Sequence, residues 1–306
     1  MRKTCFETIH KIAKKDKKII FIGSDLTPGI MGEFKKDLKE RFIMEGVSEQ
    51  HIVGMASGMA KEGLKVYVNT IATFLTRRCF EQVVIDICLH NVPVRLIANG
   101  GGMVYAPLGP THLAVDDISI LRSIPNLTIV SPCDANEMAN LINNTKNFKY
   151  PIYVRLAKGG DEIVTNKNQP FILGKAKTFL NLEEKVFIST GAMTQIAIKA
   201  SKIISEKHKM KCGVIHMPTI KPLDKKILIK YVPKVKKIVT VEENYLAGGF
   251  GSSILEFVSD NFSKYTNKIK RVGIKNKFIK NYSDQETLLN IYGLNVNNLV
   301  KTMLDK

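Results

Sequence analysis

Several things are missing from this sequence of 306 residues, and each absence removes a class of protein. No two of the five cysteines (Cys5, Cys79, Cys88, Cys133, Cys212) form a CxxC pair, and their number is odd. That excludes a zinc ribbon and a disulfide framework, so buried thiols in a reducing cytoplasm are expected. No apolar run reaches the roughly 18 residues of a bilayer span. The N-terminal MRKTCFETIHKIAKKDKK lacks the apolar core of a signal peptide, so a cytoplasmic chain without membrane contact is expected. There is no lysine between Val66 and Thr145, and tyrosine and phenylalanine do not interleave with a basic stripe. The net charge of +18, from 46 basic and 28 acidic residues, therefore reads as solvated lysine faces and not as a nucleic-acid surface. An acidic protein partner stays open. Internal repeats and low-complexity segments are absent. Neither GxxxxGK[ST] nor GxGxxG occurs, so Thr190-Gly191-Ala192 and Gly248-Gly249-Phe250-Gly251 read as tight strand-to-helix turns.

What is present is a chain with 44% hydrophobic residues, enough for two cored domains. Short apolar runs alternate with helical patterns. KIIFIG (18–23), Lys65–Asn69, PVRLIAN (93–99), LTIVSP (127–132) and PIYVRL (151–156) read as strands. Residues 2–15, 47–63, 72–90, 114–122 and 135–143 read as helices between them. A polar stretch with Gly159, Gly160 and Pro170 reads as a linker. Beyond it, strands at 185–190, 211–217, 236–243 and 269–274 alternate with helices near 193–206, 224–230, 248–260 and 295–304. The expected fold is α/β, with two doubly wound domains and mostly parallel sheets. The domains are placed at 1–158 and 175–306, with the linker at 159–174. In such sheets ligands sit at the carboxyl ends of the strands, where the turn at 24–29, the loop at 99–112 and the region after Val154 fall.

Three stretches carry candidate chemistry. In EGVSEQHIVGMASGMAKEG (45–63), Glu49 stands beside small and apolar residues at helical spacing. Either it is a first-turn acid capped by Ser48 and favoured by the helix dipole, or it is buried. A buried Glu49 pairs with a cation or keeps its proton. In TIATFLTRRCFEQ (70–82), Phe74 suits a core, while Arg77 and Arg78 follow an apolar run that should be buried. In GGGMVYAPLGPTHLAVDD (100–117), a rigid Gly-Pro-Thr turn presents His112 after a glycine-rich loop at a strand end. That is a position for substrate chemistry more than for a structural histidine.

With GVSEQHIVGMASGMAKEG, TFLTRR, GPTH, LRSIPN, SPCDANE and PIYVRL in this order and spacing, the sequence resembles the transketolase family along essentially its whole length. It is similar to the C-terminal half of transketolase and of deoxyxylulose-phosphate synthase: a thiamine-diphosphate pyrimidine-binding domain and a transketolase C-terminal domain. The half that carries a GDG motif and holds the cofactor's diphosphate through a divalent metal (Mg2+ or Ca2+) has no counterpart, and no GDG occurs. The resemblance thus implies the second subunit of a split transketolase. Its partner would be an N-terminal-half subunit in an α2β2 assembly, with the metal in that partner and none in this chain.

The resemblance also implies roles. Glu49 matches the glutamate that hydrogen-bonds N1′ of the aminopyrimidine, and Phe74 the aromatic that stacks on it. Arg77 matches an arginine near that ring in the synthase branch, Asp25 an aspartate near the cofactor, and Ile71 falls in the same cofactor-binding set. His112 matches a histidine on substrate oxygens. Arg155 and Arg2 match arginines that grip substrate phosphate, as bidentate guanidinium groups do. Three positions depart from the family: Gly29, Gly100 and Leu108 stand where transketolases carry serine, histidine and aspartate for sugar hydroxyls or phosphate. A two-carbon ketol transfer between sugars or sugar phosphates, with a non-standard sugar, is implied. The alternatives are the β subunit of a 2-oxoacid dehydrogenase E1 component, a deoxyxylulose-phosphate-synthase-like carboligase, and a non-enzymatic basic protein. Intact Glu49, Phe74 and His112 argue against the last.

Overall fold

The computed structural model describes residues 1–24, 31–157, 161–180 and 182–305. The chain divides into two compact units. The first comprises Met1–Gly101 and Ile120–Ile172, the second Gly102–Ser119 and Leu173–Lys306. Both are α/β, as the alternating pattern requires.

In the first unit, α1 (Arg2–Lys15), β1 (Ile19–Gly23), α2 (Gly32–Asp37), β2 (Phe42–Met44), α3 (Glu49–Lys61) and β3 (Lys65–Ile71) come first. They are followed by a helical stretch containing α4 (Phe80–Gln82), by β4 (Arg95–Asn99), β5 (Thr128–Val130), α6 (Ala135–Thr145) and β6 (Ile152–Leu156). A short helix, α5 (Asp117–Leu121), lies where the chain passes from one unit to the other. The strands run parallel in the order β5-β6-β4-β3-β1-β2. Every residue of β1, β4, β5 and β6 is buried, which explains their mainly apolar runs: helices cover both faces of a parallel sheet. Helix α1 buries Cys5, Phe6, Ile9, Ile12 and Ala13 at helical spacing and packs on α6. Phe21 of β1 stacks on Phe42 at 5.4 Å and meets Phe6 and Phe34.

Register aligns the carboxyl ends. Gly23 pairs with Asn69, Ile71 with Asn99 and Ala98 with Arg155. A row of buried polar groups closes this edge. Ser24 Oγ lies 2.7 Å from Thr70 Oγ1, Asn69 Nδ2 donates to the Ile97 carbonyl, and Asn99 Nδ2 donates to Asn69 Oδ1 at 3.1 Å.

The second unit contains β7 (Lys177–Phe179), β8 (Lys185–Ser189), α7 (Met193–His208), β9 (Cys212–His216), β10 (Thr219–Lys221) and α8 (Lys225–Tyr231). After them come β11 (Lys237–Tyr245), α9 (Phe250–Phe262), β12 (Ile269–Ile274), α10 (Gln285–Ile291) and α11 (Val296–Leu304). Its five-stranded sheet runs β12-β11-β8-β9-β7, parallel except for β7. The Gly248–Gly251 turn is a structural one. The N–H groups of Phe250 and Gly251, which a phosphate would require, donate to the two carboxylate oxygens of Glu242 at 2.6 and 2.8 Å.

The helix expected over 72–90 is not a regular α-helix. Phe74–Arg78 and Val83–Leu89 are π-helical, separated by Cys79 and the single α-turn of α4. The widened turns shift which side chains share a face, and such segments recur at functional sites. The helix expected over 114–122 shrinks to Asp117–Leu121, since Ala114 is held in a two-way backbone bridge with Gly102. Strands β2 and β7 and helices α2 and α10 carry no pattern long enough to announce them. None of the five cysteines forms a disulfide, and all are buried. Among the described residues, no helix is long and apolar enough to cross a membrane.

Candidate active site

Glu49 opens α3 and is 3% exposed. Ser48 precedes it without a capping hydrogen bond from its side chain, so a simple surface cap is excluded. The glutamate's partner is Arg78, whose Nη1 donates to Glu49 Oε2 at 2.6 Å. The guanidinium carbon of Arg78 also lies 4.1 Å from the centroid of the Phe74 ring. Three side chains from α3 and the first π-helical stretch thus converge: a buried acid, a half-buried aromatic ring, and a planar cation touching both. Both adjacent arginines are exposed, and the guanidinium of Arg78 is the one that lies over the Phe74 ring. Burial pushes the Cys79 thiol up to about 12, with the Glu49 charge adding in the same direction and Arg78 opposing it. Cys79 therefore remains a thiol beside the acid and is no nucleophile.

Other expected residues sit along the same sheet edge. Ile71 ends β3 and is buried, three residues before Phe74. Arg155, one residue from the end of β6, is 6% exposed and lies so close to Gly101 that a Cβ there would overlap its side chain. Gly100, after β4, has φ 75°, where a side chain would be strained. Arg2 begins α1 and is half-buried. Asp25 and Gly29 lie outside the described residues.

His112 and Leu108 belong to the second unit. The loop that bears them is closed by paired backbone hydrogen bonds between Gly102 and Ala114, at 2.9 and 3.0 Å. Glu243, buried at β11, anchors it: Oε1 accepts from the Met103 N–H at 2.7 Å and from Gln285 Nε2 at 3.0 Å. Gly102 (φ 74°) lies against that carboxylate, and Gly109 (φ 75°) against the Tyr282 ring, leaving room for a Cβ at neither. His112 is half-buried, its N–H bonded to the Gly109 carbonyl and its Nδ1 2.9 Å from Thr111 Oγ1. Leu108 is 49% exposed.

Comparison with known proteins settles the family. The family model described as the pyrimidine binding domain of transketolase matches residues 1–160, and that of the transketolase C-terminal domain matches residues 174–299. The chain belongs to the transketolase family. A 1-deoxy-D-xylulose-5-phosphate synthase of Caldanaerobacter subterraneus subsp. tengcongensis is 35% identical over 302 residues, 98% of this chain but 48% of that protein. The chain therefore spans about half the length of such relatives. An apulose-4-phosphate transketolase subunit of Phocaeicola vulgatus is 31% identical over 306 residues, covering 99% of this chain and 96% of that one. A solved structure described as a split-gene transketolase in an inactive β4 tetramer superposes with a TM-score of 0.90, at 26% identity, over 99% of this chain and 96% of the other.

Two residues of these sites, Glu243 and Gln285, are ones that sequence reasoning misses, and Arg78 is named there only as one of a pair with Arg77. The second arginine of the TFLTRR run is visible, but the π-helical turn that brings it onto Phe74 is not. The polar row Ser24–Asn69–Thr70–Asn99 does have a signal, polar residues at the ends of otherwise apolar strands.

Proposed function

We propose that this chain is the C-terminal-half subunit of a transketolase-type enzyme that uses thiamine diphosphate to move a two-carbon ketol unit from a ketose to an aldehyde. The observation that carries this reading is the end-to-end match to a relative named as one subunit of a transketolase, alongside half-length matches to single-chain relatives. The missing half is assigned to a partner subunit that supplies the divalent metal (Mg2+ or Ca2+) and the diphosphate site, in an α2β2 assembly. The β4 form of the split-gene relative is described as inactive, which supports incompleteness of a lone C-terminal half.

The residues fit the cofactor's aminopyrimidine. A flat, nitrogen-bearing group already lies over Phe74 and hydrogen-bonds Glu49, the two residues that ring would contact, its nitrogen accepting from the protonated acid. When bound, thiamine diphosphate supplies the nucleophilic carbon and the electron sink for cutting and joining carbon–carbon bonds. In this reading Glu49, buried at the start of α3, hydrogen-bonds a pyrimidine ring nitrogen and controls its proton. Phe74 and Ile71 bound the ring, with Arg77 and Asp25 in the same set. His112 hydrogen-bonds substrate oxygens. Arg155 and Arg2 hold a substrate anion, and the buried Arg155 lies against Gly101, where a side chain would displace it.

Gly29, Gly100 and Leu108 point to a sugar other than the common pentose phosphates. A site lacking partners for particular hydroxyls leaves them desolvated, at about 1–3 kcal/mol each. A deoxygenated, altered or nucleotide-linked sugar suits it better. Steady-state kinetics of the reconstituted complex test this. A kcat/KM above about 10⁴ M⁻¹s⁻¹ for xylulose 5-phosphate with ribose 5-phosphate, within the ordinary enzyme range, would refute the non-standard substrate.

A second reading has its own support, since 1-deoxy-D-xylulose-5-phosphate synthases reach 35% identity. It makes the complex a carboligase that takes its two-carbon unit from a 2-oxoacid. Assaying pyruvate against ketose donors separates the two, and release of CO2 with pyruvate identifies the carboligase.

A further inference from the structure

We propose that in the cofactor-free chain Arg78 occupies the place of the aminopyrimidine ring, and that it has to swing out before the cofactor can bind. The proposal rests on the reading of Glu49 and Phe74 as the pyrimidine site. The guanidinium group is planar, like the pyrimidine. Its central carbon lies over the Phe74 ring, 4.1 Å from the centroid, and its Nη1 donates to Glu49 Oε2 at 2.6 Å. It therefore fills the space from which one flat group can reach both partners. A second flat group cannot stack there while it remains.

The exposures of the two partners show which one moves. The Glu49 side chain is 3% exposed and fixed at the start of α3, whereas that of Arg78 is 40% exposed and reaches in from the solvent side. Arg78 ends the π-helical stretch Phe74–Arg78, a wider and less regular turn than an α-helical one. A long side chain on such a turn can leave by rotating about its own bonds, with no movement of α3. In its absence Glu49 would face the site without a cation, which is unfavourable for a buried carboxylate. Arg78 thus keeps the acid paired until a ring nitrogen takes over. If it holds the slot for nine-tenths of the time or more, apparent affinity for the ring falls about tenfold or more, because only the open fraction binds.

The probe is thiamine, which carries the aminopyrimidine without the diphosphate and so needs no metal site. It is titrated into the full chain by calorimetry and by the rise in Tm it produces. Arg78→Ala should bind thiamine about tenfold tighter than the wild type or more. Arg78→Lys, which keeps the charge and loses the plane, should fall between them. Equal or weaker binding by Arg78→Ala, or no binding by any variant, overturns the proposal. Adding Glu49→Ala to Arg78→Ala distinguishes its failure from that of the site reading. Binding that is indifferent to Glu49→Ala removes Glu49 from the pyrimidine site altogether. Binding that depends on Glu49 but not on Arg78 leaves the site and discards the placeholder. In the wild-type chain, the ring-current shift that Phe74 imposes on the Arg78 guanidinium NMR signals should vanish at saturating thiamine. Its persistence in the bound state would show that Arg78 stays in place.

Discussion

Glu243 ties the loop that presents His112 to β11, and cutting that tie should have a measurable and non-additive cost. Glu243 Oε1 accepts two hydrogen bonds, from the buried Met103 N–H and from Gln285 Nε2. A hydrogen bond to a charged group contributes about 1.5–3 kcal/mol, and a buried donor left without a partner costs about 1–3 kcal/mol. These overlap, so Glu243→Ala should destabilise the second unit by about 2–4 kcal/mol. Gly102→Ala acts on the same contact from the other side. Its left-handed backbone costs about 1–2 kcal/mol with a Cβ, and that Cβ also overlaps the Glu243 carboxyl. In the double variant the overlap disappears, so Gly102→Ala adds only its backbone strain to the loss of the Glu243 hydrogen bonds. Its loss of stability should therefore fall short of the sum of the single losses by an amount within the roughly 0.5–3 kcal/mol seen for residues in contact. Urea unfolding followed by far-UV circular dichroism measures this in a chain without tryptophan. Additivity within about 0.5 kcal/mol would show that Glu243 and Gly102 do not share the contact, and the anchoring argument would fail.

Further outcomes follow from the first unit. Glu49→Ala in the reconstituted complex should slow deuterium exchange at C2 of bound thiamine diphosphate by about 10⁴ or more, the upper end for acid–base groups; unchanged exchange removes Glu49 from the chemistry. Arg155→Ala should raise KM for an anionic substrate roughly 10- to 150-fold, the equivalent of about 1.5–3 kcal/mol, and equal losses with neutral and anionic substrates would discard the anion role. Asp16 is held below its ordinary 3.8, first by its hydrogen bond from the Lys65 ammonium and then by the Lys18 N–H. Because the folded value is the lower one, the stability it contributes is present above the carboxylate range and lost as pH falls through it. Asp16→Asn should flatten the acid limb of the stability–pH profile, and an unaltered acid limb would contradict this.

The architecture is legible because burial on both faces writes mainly apolar runs into β1, β4 and β6, and one-sided burial writes helical spacing into α1 and α7. The β12 strand coincides with IKRVGI, whose Ile269, Val272 and Ile274 are buried, while Lys270 is exposed and the half-buried Arg271 donates to the Leu246 carbonyl and Ser252 Oγ. Where the physics is not periodic, the sequence was silent. A π-helical turn differs from an α-turn by one residue in its hydrogen bonding, and nothing in FLTRR marks it. Nothing in the sequence consequently told Arg78 apart from Arg77. Short β2 and β7 owe their existence to pairing with β1 and β9, a tertiary cause. Glu242 and Glu243 are adjacent and both buried, yet one caps α9 and the other anchors the His112 loop. Alternation along β11 sends them to opposite faces, but what waits on each face is set by distant segments. Glu49 was legible because an acid within a small and apolar helix needs a partner. The identity of that partner was not.

The central claim is that this chain is half of an enzyme. Ketol transfer by the purified chain, by an N-terminal-half transketolase subunit, and by their equimolar mixture with thiamine diphosphate and Mg2+ tests it most directly. The account predicts turnover in the mixture alone. Turnover by this chain without a partner would contradict it.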